Sequence, residues 1–337
     1  MATVTWTGGG ADTAWGTGLN WDTTTVPATG DDVVFDGAFP VTGSKNCTAA
    51  GGTLNSLTVT SGYTGNITQG STFNVTNAGT KTITFNGTGT WDTAGESVGC
   101  AILDASGSAT KTITLNASAV NATGDVLLTG SGLTLNAGTS TLRINGTSTW
   151  SLASGLSLYK VDIGPAGNAQ TTLGSSVSIT NNLRILDGKI TAGANTLTLG
   201  ANFQKDDNFT ANTSTVIFNG TSTVIGSITF YNLTINSGKT VHLTSGQTFT
   251  VSGAFVTSGT STLDATIGGS RANLNVNGSQ SVVGVTATDI DSSGGSVKPI
   301  NNVGGTNSNT VQWDLGLTTE SVITEKRKLR NLLGVGL

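Results

Sequence analysis

Charge is scarce in this chain. Asp, Glu, Lys and Arg make up 10% of its 337 residues, and the formal net charge is −4. An ordinary globular protein is roughly a quarter charged. The weak acidic balance leaves no basic field for a phosphate backbone, which argues against nucleic acid as a partner. Histidine occurs once, at His242, and cysteine twice, at Cys47 and Cys100. One imidazole and two widely separated thiols do not give the clustered ligands of a zinc site. The thiols read as buried and inert, with a disulfide between them as the alternative. No apolar run approaches the ~20 residues that span a bilayer, so no membrane span is expected. The opening MATVTWTGGG has neither the basic nor the apolar segment of a secretory signal.

What is plentiful is glycine, at 48 residues, together with Thr, Ser and Asn. Such a composition without β-branched residues would signal disorder, but Val, Ile, Leu and Thr recur throughout. They recur in strict alternation: SLTVTS (56–61), KTITFNG (81–87), KTITLNA (111–117), TVIFNG (215–220), NLTINSG (232–238), KTVHLTSG (239–246) and ANLNVNG (272–278). Period two means strand, and each run ends in Asn-Gly, Asn-Ala or Ser-Gly, which supply left-handed corners. No helical period precedes residue 318, so the body is all β. The unit of apolar, Thr, apolar, Asn and a small residue returns at irregular intervals, which points to a stacked coil. The expected fold is a single elongated right-handed parallel β-helix, with about a dozen coils of roughly 20–25 residues. A β-sandwich is the alternative. Asn residues at equivalent corners are expected to bond from coil to coil.

The two ends are built differently from this middle. Trp6, Trp15 and Trp21 crowd the start, followed by Pro27 and the turn ATGDD before VVFDG. A stack of coils exposes a hydrophobic cross-section and an open sheet edge, so its terminal repeats must be caps. Residues 1–37 are read as the N-terminal cap and 38–316 as the solenoid body. The closing coil is placed at 285–316 and ends on Trp313. Residues 317–337 concentrate charge on an amphipathic helical pattern. Val322, Leu329, Leu332 and Leu333 form an apolar side, and Lys326, Arg327, Lys328 and Arg330 a basic one. This segment reads as a tail docking on a partner or symmetry mate.

The opening segment, with Asn-Trp followed by Pro and Gly-Asp before an aliphatic strand, resembles the N-terminal cap of bacterial and phage β-helix proteins of the autotransporter-passenger type. FYNLTINSGKTVHLTSGQTFTVSG resembles the coils of such surface and virion proteins. The resemblance implies a tailed-bacteriophage structural protein located on the virion: a capsid decoration, head fibre or tail-fibre module. It implies shell or tail-scaffold proteins as partners, self-association as a trimer, and contact with host-surface glycans. A bacterial surface adhesin and a β-helix polysaccharide depolymerase are the alternatives.

Catalytic chemistry finds little purchase. His242 alternates with Val241 and Leu243 and is expected to be an exposed strand residue. The acidic candidates are Asp31, Asp32 and Asp36, Asp206 with Asp207, and Asp289 with Asp291. A glycosidase needs two carboxylates facing one cleft. Here each group sits in an expected turn, where Asp bonds the backbone. The Asp-x-Asp pair Asp289/Asp291, read as lying on one face of a strand, is a calcium candidate. No catalytic residue, cofactor or enzymatic activity is expected. An ice-binding Thr array is set aside because the coil spacing is irregular.

Overall fold

The structure, a computed structural model, describes residues 2–37, 45–75 and 81–315. It is an all-β parallel β-solenoid of about 12 turns, divided into two compact units, Met1–Ser214 and Thr215–Leu337. The period-two runs are its strands. In Ser56–Val59 and Thr82–Phe85 the side chains Leu57, Val59, Ile83 and Phe85 are buried, while Ser56, Thr58, Thr82 and Thr84 stay partly exposed. Each fully buried aliphatic or Phe contributes roughly 1.5–3 kcal/mol. A thin core therefore suffices because every coil adds to it.

In the first unit successive strands visit three faces in rotation. The first face runs from Thr3–Trp6 through Asp32–Phe35, Ser56–Val59 and Thr82–Phe85 to Asn208–Thr210. The second runs from Cys47–Ala49 to Leu133–Asn136, and the third from Gly52–Thr53 to Phe203–Lys205. All ladders between these strands are parallel, as in Leu57 to Ile83 and Ile113 to Leu135. The second unit repeats the design. Thr215–Phe218, Ser222–Ile225 and Ile228–Phe230 begin its three ladders, and Phe218, Phe230, Phe249 and Phe255 lie at its centre. Among the described residues the helical content is one short 3-10 turn, Gly18–Asn20, and no helix is long and apolar enough to cross a membrane.

The irregular recurrence of the strand motif has a simple origin. The step from one coil to the next is 17 residues between Thr215 and Asn232 but 26 between Leu57 and Ile83. Strand register is nevertheless kept, so the corners absorb the difference. At Gly164 the corner has φ +69°, and a Cβ would lie 1.5 Å from the Asp187 carbonyl oxygen, which leaves room only for glycine. The corner asparagines do bond from coil to coil, but mostly to backbone. Asn66, Asn86, Asn145 and Asn277 accept the N–H of Thr90, Gly107, Ala166 and Ser296. Asn236 donating to Asn219, at 3.0 Å, is a side-chain pair.

Candidate functional site

The N-terminal segment closes all three faces of the first coil. Thr3–Trp6 is itself a strand, paired with Asp32–Phe35, so the solenoid starts earlier than VVFDG. Its open edge is covered by residues 20–22 running antiparallel. The Thr7 N–H donates to the Asn20 carbonyl, the Asp22 N–H to the Thr5 carbonyl, and the Thr5 N–H to the Asp22 carboxylate. The second face is covered by residues 13–15, where the Trp15 N–H donates to Thr48 and the Thr48 N–H to Thr13. On the third, the Gly30 N–H donates to Thr53. Among the described residues each of the three sheets thus has a backbone partner on its edge at this end.

Trp6, Trp15 and Trp21 sit beneath this cover at 1–3% exposure. Trp21 stacks edge-on against both neighbours, at 5.0 Å from Trp6 and 4.6 Å from Trp15, and Phe35, Phe73 and Tyr63 continue the cluster inward. Such contacts add about 0.5–1.5 kcal/mol each beyond burial. The tryptophans are therefore core. The exposed apolar groups at this end are Leu19 and Val26, with Pro27 half-buried. Asn20, the first half of the Asn-Trp motif, is fully buried. Its amide donates to Asp12 and to the Ala14 carbonyl, and it accepts the Gly10 N–H. Asp12 is held below the usual aspartate range by the Thr17 hydroxyl and the Ala14 N–H.

At the C-terminal end Trp313 is half-buried on a short strand beside Ile300, and its indole N–H donates to Ser292 at 2.9 Å. The remaining closure is polar. Asn302 is fully buried and bridges both backbone groups of Val285 and the Asn307 side chain. Arg271 forks onto the carbonyl and side chain of Asn309, which in turn donates to Asp289. The docking residues expected in the tail (Val322, Lys326, Arg327, Lys328, Leu329, Arg330, Leu332 and Leu333) lie outside the described residues.

The acidic candidates are each spent on the chain's own groups. Asp31 accepts the N–H of Ala2 and Ala28, Asp32 bonds Asn55 and Ser56, and Asp36 bonds Thr60. Asp206 accepts from Gln204, and Asp207 from Gly188 and Asn208. Asp289 and Asp291 do not share a strand face. Asp289 has φ +58° and makes the corner before the two-residue strand Ile290–Asp291. The Asn309 amide and the Gly269 N–H hold its carboxyl below the ordinary range. For Asp291 burial works the other way, and the Ser293 hydroxyl and N–H outweigh it. Among the described residues no group of three or more His, Cys, Asp or Glu is placed to hold a metal ion.

Two charged columns escaped the reading of the sequence. On the third face of the first unit, Arg143, Asp162 and Arg184 stand in register on adjacent strands. Arg184 grips both oxygens of Asp162 at 2.7 and 2.6 Å, and Asp162 is 1% exposed. In the second unit His242 points outward, as expected, but is half-buried because Asp264, one coil on, bonds its Nδ1. The signal was present: Leu-Arg-Ile, Val-Asp-Ile and Leu-Arg-Ile, then Val-His-Leu and Leu-Asp-Ala, each put an ionisable residue in the outward slot about one coil apart. Cys47 and Cys100 are free, buried and on different faces. Burial raises both thiols, Cys100 to about 12, so neither is a nucleophile at neutral pH.

Comparison with protein-family models, with curated proteins and with solved structures finds no match to this chain.

Proposed function

We propose that the chain is a non-enzymatic structural protein of a tailed-bacteriophage virion. It would serve as a capsid decoration, head fibre or tail-fibre module against shell or tail-scaffold proteins, self-associating as a trimer. The observation that carries the structural role is the fate of the carboxylates: every acidic group considered for catalysis is consumed in hydrogen bonds within the solenoid. The outward strand positions that remain are chiefly neutral hydroxyls and amides. The resemblance of the opening segment to phage and surface-protein caps supports the virion. Because Trp6, Trp15 and Trp21 are buried, attachment falls to the tail at 317–337 rather than to the aromatic cluster.

Immunogold electron microscopy of a phage lysate, with antibody against the purified chain, tests this reading. Label is expected on heads or tails. Label confined to cell envelopes would overturn it in favour of a surface adhesin. A depolymerase is the second reading, favoured by the outward acid–base pair His242–Asp264. It would be adopted if the protein lowered the viscosity of a capsular polysaccharide and Asp264→Asn abolished the effect.

A further inference from the structure

From Cys47–Ala49 onward, the rotation of the described strands in the first unit is broken once. After Thr147–Leu152 the chain reaches the position of the second face, but residues 153–158 make no strand there. The five-stranded ladder ends at Leu133–Asn136, and the face resumes at Val177–Ile179, joined to the gap by the single bridge Leu158 to Ile179. The stagger of the six-residue strand accounts for the break. Its last three residues pair with Val126–Leu128, while its first four pair with the strand Ala169–Leu173. The chain therefore leaves it displaced from the stack.

The break leaves a groove of about 410 Å³, within the range of small-molecule sites. Its floor is the outer surface of the resumed face, where Ser176, Ser178, Thr196 and Thr198 form a two-by-two array. The array is spaced about 4.8 Å across strands and about 6.6 Å along them. Its wall is the loop Ser154–Ser157, with the half-buried Leu156 offering an apolar patch. The wall is fixed in advance: Ser175 bonds both backbone groups of Leu152, the Leu156 N–H donates to Ala153, and the Leu158 N–H to Ser178.

Two features select the ligand. No charged side chain lines the groove, so an ion finds no counter-charge there. The hydroxyls of Ser154, Ser157, Ser178, Thr196 and Thr198 have no hydrogen-bond partner within the described protein, and the Ser176 hydroxyl accepts only the Thr196 N–H. Unspent groups that both donate and accept, facing a small apolar patch, match a molecule that is itself neutral, hydroxylated and C–H-faced. An added peptide strand is disfavoured because the Leu158 N–H and carbonyl are already paired, to Ser178 and Thr180.

We infer that this groove binds a neutral saccharide, one or two sugar units of a longer glycan. The inference stands whether the protein is carried on a virion or on a cell envelope. The test is saturation-transfer difference NMR on the full chain at about 1 mM ligand, the weak range suited to a shallow site. The probes are maltohexaose, mannohexaose and xylohexaose, with hexagalacturonate as the acidic comparator. At least one neutral hexamer should show transfer, and the acidic one should show none. The pair Ser178→Ala and Thr198→Ala, both outward-facing, should cut the signal about tenfold while circular dichroism is unchanged. The distant pair Thr234→Ala and Thr250→Ala should leave it intact. Absence of transfer to all three neutral probes, equal transfer to the acidic one, or an undiminished signal in the groove variant would each overturn the assignment.

Discussion

The first coil is closed by three tryptophans at 1–3% exposure, whereas the last described coils rely on a half-buried Trp313 and a polar mesh of Asn302, Asn309, Arg271 and Asp289. The problem is the same at both places, an apolar cross-section with open ladders. At the N-terminus one residue group fills the core and a second, at 13–15 and 20–22, pairs the edges. At the C-terminus the sheets dwindle to strands of two or three residues and side-chain amides finish the backbone bonding. Aromatic closure stores its energy in burial, and polar closure stores it in hydrogen-bond geometry.

The two should therefore fail differently. Trp21→Ala removes the ring that touches both other tryptophans and the donor to the Trp15 carbonyl. A loss of about 3–5 kcal/mol is expected in denaturant unfolding of the first unit. Trp313→Ala, from a half-buried site, should cost about 1–2 kcal/mol. Equal losses would mean that the C-terminal ring is the greater part of its cap and that the contrast is wrong. Next in size are the buried asparagines. Asn20→Ala and Asn302→Ala each strand several backbone groups, and about 1–3 kcal/mol is expected for either. Hydrogen exchange should show Asn20→Ala loosening residues 2–22 alone and Asn302→Ala loosening 285–308 alone.

Much of this fold was legible because strand alternation is local. Leu57 and Val59, or Val241 and Leu243, announce an inward face without knowledge of any partner. The cap tryptophans were legible as an atypical cluster, but their edge-pairing was not. That depends on residues 20–22 folding back antiparallel, which no period records. Asp206 and Asp207 lie in a corner between strands, but Asp32 opens the strand Asp32–Phe35, and Asp289 reads as a strand residue because its left-handed φ is invisible in an Asp-x-Asp triplet. The groove at 153–158 could not be foreseen. It follows from a stagger between Val126–Leu128 and Ala169–Leu173, a relation between coils rather than within one.

Acid gives a smaller effect that spares neither end. Asp12 and Asp31 in the first coil, and Asp289 and Asp291 in the last, are all held below the ordinary aspartate value of 3.8 by the hydrogen bonds they accept. A depressed folded value means stability that is complete above the unfolded value of 3.8 and lost as pH falls through the lower folded values. Hydrogen exchange at pH 3 against pH 6, corrected for intrinsic rate, should deprotect both ends while the strand Thr196–Leu199, which carries no ionisable side chain, holds. Loss at one end only would show that its carboxylates carry more of the closure than those at the other.

The smallest effect separates the two layers of the N-terminal cap. Cys47 begins the edge strand that residues 13–15 cover, while Cys100 lies between strands on both sides, paired to Val75 and Ala122. Both thiols are buried, so a maleimide reaches either through local opening, and the rate reports that opening. Asp12→Ala removes the anchor that ties Thr17, Ala14 and Asn20 together but leaves all three tryptophans in place. Labelling of Cys47 should rise several-fold and that of Cys100 should not change. If the two rose together, the edge cover and the aromatic core would open as one unit, and the division between pairing and filling at this end would be false. If neither rose, the cover would be held by the ladder contacts at Thr13 and Trp15 alone, with the Asp12 network only decorating it.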